Sequence, residues 1–224
     1  MKKKTKAILC AASIIGVVGI SGILAYLTDS DSAINKFTVG NVDIDLVEEQ
    51  WDEADDENSN GIPDYAENIA PGATIVKDPK VKNVGETDAY IFLKVKVPAD
   101  KVVTVNADGT RKNDGAEVDT PLFTYTTNSG WAKIASADEV ETDTDDNVLS
   151  YTYVYYYENA IGKNEETSTL FDNVTFANII EGYEEGAEKQ IDIEAYAIQK
   201  DNLPEGTTIP QAYSIYVSQN TLSK

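Results

Sequence analysis

Apolar residues alternate with other residues along the segment Tyr90-Ile91-Phe92-Leu93-Lys94-Val95-Lys96-Val97. In an extended chain, successive side chains point to opposite faces. Ile91, Leu93, Val95 and Val97 therefore share one face, and Lys94 and Lys96 share the other. This period of two residues predicts a β-strand with one buried face.

Four further segments carry a strand signal, so the pattern extends along most of the chain. Residues 42–46, 190–197 and 213–217 alternate, and residues 151–157 are rich in tyrosine and β-branched side chains, which strands favour. Turn signals separate the segments, at Pro71-Gly72, Asp78-Pro79, Asn83-Val84-Gly85, Asp108-Gly109 and Asn128-Ser129-Gly130.

Helical periodicity is scarce in this sequence. The one short helix that we expect covers residues 136–140, with Ser136 as its N-cap and Glu139 three residues later. Many strands, short turns and few helices predict an all-β fold, an antiparallel β-sandwich. We expect residues 26–224 to form this single domain.

The composition excludes several functional classes. The 224 residues include 18 Lys and Arg against 39 Asp and Glu, which gives a net charge of −21. A chain this acidic lacks a general phosphate-binding surface, so we expect no nucleic-acid partner. Histidine is absent, which excludes a Ser-His-Asp triad, a Cys-His pair and an HExxH zinc site.

Residues 1–25 have the organisation of a secretory signal peptide. Four lysines within the first six residues precede an uncharged apolar run, which ends in small residues. We therefore predict an N-terminal signal helix, cleavage between Ala25 and Tyr26, and a secreted protein that meets the membrane only through this segment. The alternative is an uncleaved anchor, since the apolar run is just long enough to span a bilayer.

An acidic segment at residues 48–68 contains a candidate calcium site. Residues 56–67 match the twelve-residue loop D-x-[DN]-x-[DN]-G-x5-E at every specified position. Calcium takes six to eight oxygen ligands, and such a loop supplies them from alternating positions. The predicted ligands are Asp56, Asn58, Asn60, Ile62 through its carbonyl, Asp64 and Glu67.

We expect this calcium to be structural and weakly bound, with a dissociation constant of roughly 10⁻⁴ to 10⁻³ M as in extracellular modules. No amphipathic helices flank the loop, and Pro63 lies where a paired EF-hand uses a sheet-forming residue. The alternative is an acidic linker that binds no ion.

Residues just after the apolar run resemble the start of proteins exported with SipW-type signal peptides. They include Leu24-Ala25-Tyr26-Leu27-Thr28-Asp29 and Asn35-Lys36-Phe37-Thr38-Val39-Gly40. These proteins form the TasA/camelysin (CalY) family of Gram-positive bacteria. Further landmarks of that family are similar to residues 69–72, 77–85, 88–95, 169–171 and 195–199, together with Trp131 and the tyrosines of 153–157.

This resemblance implies a jelly-roll type of β-sandwich, a SipW-type signal peptidase as partner, and a place in the extracellular matrix or at the cell surface. It also implies self-association into fibres, in which an N-terminal strand of one subunit completes the sheet of the next. In this chain that strand would lie within residues 26–46. Its buried side chains would be Phe37, Val39, Val42, Ile44 and Leu46. The alternative is that the strand belongs to its own domain.

Three functions therefore compete. The first is a structural subunit of biofilm-matrix or cell-surface fibres, and the second is a monomeric, calcium-stabilised surface adhesin or binding module. The third is a metallopeptidase, because camelysin-type relatives carry that label. Without histidine, a zinc site would need carboxylate ligands alone, which is unusual for zinc. We therefore expect no catalytic residues and no enzymatic activity.

Overall fold

The structure, a computed structural model, describes residues 28–31, 42–183 and 189–221, of which residues 28–31 and 221 are described by their backbone only. The predicted signal segment with its Ala25–Tyr26 cleavage site lies outside these ranges. So do Phe37 and Val39 of the predicted assembly strand.

The described chain is mostly β-structure. Its strands are β1 (Thr28–Asp31), β2 (Ile44–Val47), β3 (Thr74–Val76), β4 (Lys80–Asn83), β5 (Ala89–Thr104), β6 (Val118–Pro121), β7 (Phe123–Thr124), β8 (Trp131–Lys133), β9 (Glu139–Thr142), β10 (Val148–Tyr157), β11 (Asn173–Phe176), β12 (Ile179–Glu181) and β13 (Asp192–Gln199). The α-helices are α1 (Glu49–Asp52) and α2 (Ile209–Thr221), and short 3-10 helices cover Asp64–Ala66, Asn113–Gly115 and Ala135–Ala137.

One layer of the fold is a large sheet built around β5, whose strands run in the order β1-β13-β5-β10-β8. β6 and β12 pair with the far half of β5, and β9 pairs with β10. Every pairing in the sheet is antiparallel. β5 contains the predicted strand 90–97 and continues beyond it to Thr104.

The second layer consists of two smaller sheets, in the orders β3-β11-β7 and β2-β4. Main-chain bonds join them, because the Lys77 N–H donates to the Asp172 carbonyl at 3.2 Å and the Leu170 N–H donates to the Pro79 carbonyl at 2.8 Å. Residues 74–83 thus run antiparallel to the segment that leads into β11. The two layers confirm the prediction of an all-β antiparallel sandwich with few helices.

The main core lies between the two layers. The face of β5 that carries Ile91, Leu93, Val95 and Val97 is buried, as the alternation predicts. Side chains of the second layer cover it, among them Leu122, Phe171, Val174 and Phe176. Burial of apolar surface contributes about 25 cal/mol per Å², so this interface stabilises the association of the layers.

A smaller core lies on the opposite face of the large sheet, beneath α2. Phe92 and Ile198 are fully buried there, against Ala212 and Tyr216 of the helix. The ring of Tyr213 lies 5.2 Å from that of Phe92, centroid to centroid. The helix therefore covers the part of the outer face that carries an aromatic residue, and leaves the Lys94–Lys96 part uncovered.

The strand expectation for residues 213–217 is wrong, because these residues lie within α2. A capping box begins the helix: the Thr208 N–H donates to Gln211 Oε1 at 2.8 Å, and the Gln211 N–H donates to Thr208 Oγ1 at 3.4 Å. Ile209, Ala212, Tyr213 and Tyr216 then recur at helical spacing. Residues 213–217 are too few to distinguish the two-residue period of a strand from the helical period of about 3.6 residues, because their apolar residues fit both.

The helix expected over 136–140 is also absent from the described chain. A 3-10 turn covers Ala135–Ala137, and Glu139–Thr142 form β9, in which Val140 pairs with Tyr151 of β10. Pairing with an existing strand outweighs a capping box that has no apolar helical face behind it.

Candidate functional site

The acidic segment that carries the calcium motif follows directly after β2. The short helix α1 begins it, and the 3-10 helix Asp64–Ala66 lies near its end. β2 pairs with β4, so the segment leaves and returns along the edge of the second layer.

Several contacts attach this segment to β3 and to the residues after it. Lys77 Nζ lies 2.9 Å from Glu48 Oε2 and 4.3 Å from the centroid of the Trp51 ring. Trp51 in turn meets Tyr65 edge to face, with ring centroids 6.2 Å apart. The Tyr65 hydroxyl donates to the Val76 carbonyl at 3.3 Å. Both ends of the segment are thereby held at the end of β3, by Val76 and by Lys77 that follows it.

A buried carboxylate supports the same attachment. The Gln50 N–H lies 3.2 Å from both carboxylate oxygens of Asp78, which is buried. Burial raises the pKa of Glu48, and the neighbouring Lys77 ammonium lowers it in part. Sequence patterns gave no sign of this cluster, since its partners lie 28 and 29 residues apart along the chain.

Backbone groups within the loop converge on its acidic side chains. The N–H groups of Asn60 and Gly61 donate to the two oxygens of Asp56, at 3.2 and 2.8 Å. The Glu57 N–H donates to Asp64 Oδ1 at 3.1 Å. Gly61 has a φ of +84°, which glycine adopts at little cost, so it allows the chain to turn between these contacts.

Glu67 closes the loop. Its Oε1 accepts bonds from Asn58 Nδ2 at 2.6 Å and from Asn60 Nδ2 at 2.7 Å. The last predicted ligand thus reaches the second and third, across nine and seven residues. The structure brings together Asp56, Asn58, Asn60 and Glu67 in one exposed loop, with Asp64 bonded to the same loop.

This donor set fits a hard cation such as calcium in ligand type. Calcium prefers oxygen, and the loop offers carboxylates, amide oxygens and the Ile62 carbonyl. A cation on Glu67 would replace the two amide donors, and each amide would turn to present Oδ1. Within the ranges that the structure describes, no three Asp, Glu, His or Cys side chains are grouped to hold a metal. A cation in this loop would need oxygen ligands from Asn58 and Asn60 as well.

The predicted assembly strand lies partly in the core of its own domain. Val42 and Ile44 are 1% and 0% exposed, Leu46 is half-buried, and β2 pairs with β4 of the same chain. This is the arrangement of the alternative in which the strand belongs to its own domain. It restricts any exchangeable part of the N-terminal segment to residues before 42.

One strand upstream of that point is described. β1 lies at the edge of the large sheet and pairs with β13, with Thr28 opposite Ile198 and Asp31 opposite Ala195. Such an edge is an open row of main-chain hydrogen-bond groups, which any extended segment can satisfy.

The tyrosine-rich segment is divided between core and surface. Tyr155 is buried, and its hydroxyl lies 3.1 Å from that of Tyr125, whose pKa is raised by burial. Tyr151 and Tyr153 are half-buried, with parallel rings. Trp131 is buried and donates from Nε1 to the Ser168 carbonyl at 2.9 Å.

The described helices include none that is long and apolar enough to cross a membrane. A scan against models of protein families gave no match, and searches of curated proteins and of solved structures gave none either. The function of this chain therefore has to be inferred from its own residues and their geometry.

Proposed function

We propose that this protein is a secreted structural subunit of extracellular fibres, at the cell surface or in a biofilm matrix of a Gram-positive bacterium. The proposal joins the signal-peptide pattern of residues 1–25 to the resemblance of residues 24–44 to the TasA/camelysin family. A SipW-type signal peptidase would release the mature chain after Ala25. Fibres would form when the N-terminal segment of one subunit pairs with the sheet of another.

The position of β1 is the observation that supports this proposal most. β1 is only four residues long and pairs with β13 at the edge of the large sheet. Its sequence neighbours from Val42 onward are held in the second layer. Strand addition at such an edge relies on main-chain bonds, so the same place can be taken by β1 of another copy.

Cysteine cross-linking tests the exchange directly. Asp29 lies opposite Ala197 in the register of β1 and β13. Directly paired residues of antiparallel strands have Cα atoms about 4.5 to 5.5 Å apart, within reach of a disulfide. Cys10 is the only native cysteine, so chains that begin at Tyr26 carry only the introduced ones.

Two single variants, Asp29→Cys and Ala197→Cys, are mixed and oxidised. A disulfide-linked pair of the two chains supports exchange, and the mixture of Asp29→Cys with Glu205→Cys, an exposed loop site, controls for collision. If the two cysteines link only when both are present in one chain, β1 completes its own sheet and the fibre proposal fails.

Electron microscopy gives a second test. Residues 26–224 should form fibres with millimolar calcium, and residues 37–224, which lack β1, should not. Single particles from both chains would favour a monomeric subunit.

We propose further that residues 56–67 bind calcium in a structural role. Asp56, Asn58, Asn60, Asp64 and Glu67 would hold the ion with the Ile62 carbonyl, and the ion would offset repulsion among the acids. Calorimetry should show binding with a dissociation constant of roughly 10⁻⁴ to 10⁻³ M. Glu67→Gln should abolish the heat, and Glu57→Gln, with the same charge change beside the ligands, should keep it. Equal heats from both variants would contradict the site.

A monomeric, calcium-stabilised surface adhesin is the second candidate. The burial of Val42 and Ile44 in their own domain favours it. Neither proposal includes catalysis. Chelator-sensitive cleavage of casein by the pure protein would instead support a camelysin-type peptidase.

A further inference from the structure

A shallow groove of about 270 Å³ crosses the outer face of the second layer, where β7 and β11 meet. None of its lining residues belongs to the acidic segment 48–68 or to β1. Hydroxyl and amide side chains and one carboxylate make up most of its lining, which consists of Thr124, Tyr125, Thr126, Asn128, Asp172, Asn173 and Thr175. The ring of Tyr125 packs against Phe171 in the core, and its hydroxyl bonds to that of Tyr155.

The strand pattern explains why these side chains meet there. Phe123, Val174 and Phe176 point into the core, so the residues that alternate with them point outward. Thr124 and Thr175 are direct partners in the register of β7 and β11. Thr175 also shares a hydrogen bond of 3.0 Å with Thr74 on the next strand, which extends the row of hydroxyls.

One end of the groove is fixed in advance by a small hydrogen-bond network. Asp172 Oδ1 accepts from Asn128 Nδ2 at 3.0 Å and from Thr169 Oγ1 at 2.7 Å. Asn128 Nδ2 also donates to Thr169 Oγ1 at 3.0 Å. Asp172 and Asn128 are thus held side by side, and each keeps one oxygen, Oδ2 and Oδ1 respectively, that accepts no bond from the described residues.

The other end keeps its side-chain groups available. The side chains of Thr124, Thr126 and Asn173 form no hydrogen bond with any described residue. An amide supplies two donors and an acceptor, and a hydroxyl supplies one donor and two acceptor positions. The groove therefore presents both kinds of partner along two neighbouring rigid strands.

The charges of the lining and of the whole chain limit the class of ligand that the groove can bind. Asp172 is the one charged side chain of the lining, in a chain whose net charge is −21. Among the described residues, no lysine or arginine lines the groove to compensate a phosphate or a uronic acid, so an anionic ligand would meet repulsion. The lining is also largely polar, which disfavours a lipid or an aromatic ligand. A neutral, hydroxyl-rich ligand matches both features.

We propose that this groove binds a neutral polysaccharide. Sugar hydroxyls would donate to Asp172 Oδ2 and Asn128 Oδ1 and would exchange bonds with Asn173 and the threonines. Because the net gain per exchanged hydrogen bond is only about 1 kcal/mol, binding at one groove is weak. The inference does not depend on fibre formation, since one subunit contains the whole site.

Affinity electrophoresis of chains that begin at Tyr26 tests the proposal, with dextran, mannan or hydroxyethylcellulose in the gel and alginate as an anionic comparison. At least one neutral polymer should retard the wild type, and alginate should not. The double variant Thr126→Val/Asn173→Ala removes two side chains that make no internal hydrogen bond. Its apparent dissociation constant should rise about tenfold or more.

The matched control is Ser136→Ala/Thr142→Val, which alters exposed side chains outside the groove. Thermal melts confirm that each variant is folded, and the single variant Thr126→Val replaces the double variant if the latter melts early. Absence of retardation by all three neutral polymers overturns the proposal. Equal retardation of the groove variant and the control, or equal retardation in alginate, overturns it as well.

Discussion

Lys77 Nζ lies 2.9 Å from Glu48 Oε2, and the two side chains are only 10% and 16% exposed. The other oxygen of Glu48 is buried without a hydrogen-bond partner among the described residues. The ammonium of Lys77 therefore provides the main compensation for this carboxylate. It also joins the start of the acidic segment to the strand that supports it.

Replacing Lys77 by Met should destabilise the protein by about 3 to 5 kcal/mol, because it leaves Glu48 buried without its partner. Urea unfolding measures the change. Lys163→Met breaks an exposed ion pair with Glu86 and should cost no more than about 1 kcal/mol. Similar losses from both variants would mean that Glu48 is well solvated.

Glu48 should also give the stability a particular pH dependence. Burial raises its folded-state pKa above the ordinary value of 4.5. A carboxyl of this kind binds its proton more tightly when folded, so its contribution is present below pH 4.5 and is lost as the pH rises through the folded pKa. The free energy of unfolding of wild type relative to Glu48→Gln should therefore fall over that window.

Glu141 is a comparison for which the expected pH dependence of stability has the opposite sign. Hydrogen bonds from Lys96 and Ser150 lower its pKa, so its contribution is lost as the pH falls. The stability of wild type relative to Glu141→Gln should decline towards acid pH. A Glu48 difference that stays level, or that follows the Glu141 trend, would contradict the assignment.

Gly182→Ala should destabilise the protein strongly. Gly182 has a φ of +86°, and an added Cβ would lie 2.8 Å from the Lys101 carbonyl oxygen. Gly109→Ala is the control, because its φ is +81° with no atom within 4 Å of the added Cβ. The control should lose about 1 to 2 kcal/mol from backbone strain, and Gly182→Ala should lose more, since backbone must also move. Equal losses of stability by the two variants in thermal melts would contradict the predicted clash between the added Cβ and the Lys101 carbonyl.

Calcium should raise the stability of the whole domain if the loop binds it. At 10 mM calcium (an assumed test concentration), a dissociation constant of 10⁻³ to 10⁻⁴ M corresponds to about 1.4 to 2.7 kcal/mol. Urea titrations with calcium and with chelator measure this difference. Glu67→Gln should show none, whereas Glu57→Gln should behave as the wild type does. A calcium effect that survives in Glu67→Gln would place the ion elsewhere.

Thr208→Ala should loosen α2 by about 1 kcal/mol, because the variant loses one half of the capping box. Hydrogen exchange of the helix amides reports the change, and Ser218→Ala, at the other end of the helix, is the comparison. Unaltered exchange near Ile209 would show that tertiary contacts alone hold the helix.

The sequence predicted best what depends on neighbours along the chain. Residues 90–97 alternate, and that alternation alone identifies the buried face of β5. The motif at residues 56–67 is visible in the same way, because its candidate ligands lie within twelve residues, and calcium binding there stays a prediction. In both cases local geometry determines the pattern.

Contacts between distant residues were not predictable in the same way. Lys77 and Asp78 look like ordinary turn residues, and only folding brings Glu48 and Gln50 to them. The strand prediction for residues 213–217 was wrong for another reason. Tyr213, Ile215 and Val217 alternate as in a strand, whereas Ala212, Tyr213 and Tyr216 have helical spacing. Outward-facing hydroxyls at Thr124 and Thr175 meet only through the register of β7 and β11.

The pairing of Thr28 with Ile198 has a consequence for how the chain folds. β13 lies between β1 and β5, so the large sheet joins residues from nearly opposite ends of the described chain. Closing such a long loop costs conformational entropy before the stabilising contacts between the strands can form. Folds dominated by such distant pairings fold in about milliseconds to seconds. The large sheet of this sandwich is therefore complete only after β13 has paired with β5 and β1. Slow folding would suit the export that we propose for this chain, because it would leave the chain unfolded while it passes through an export channel.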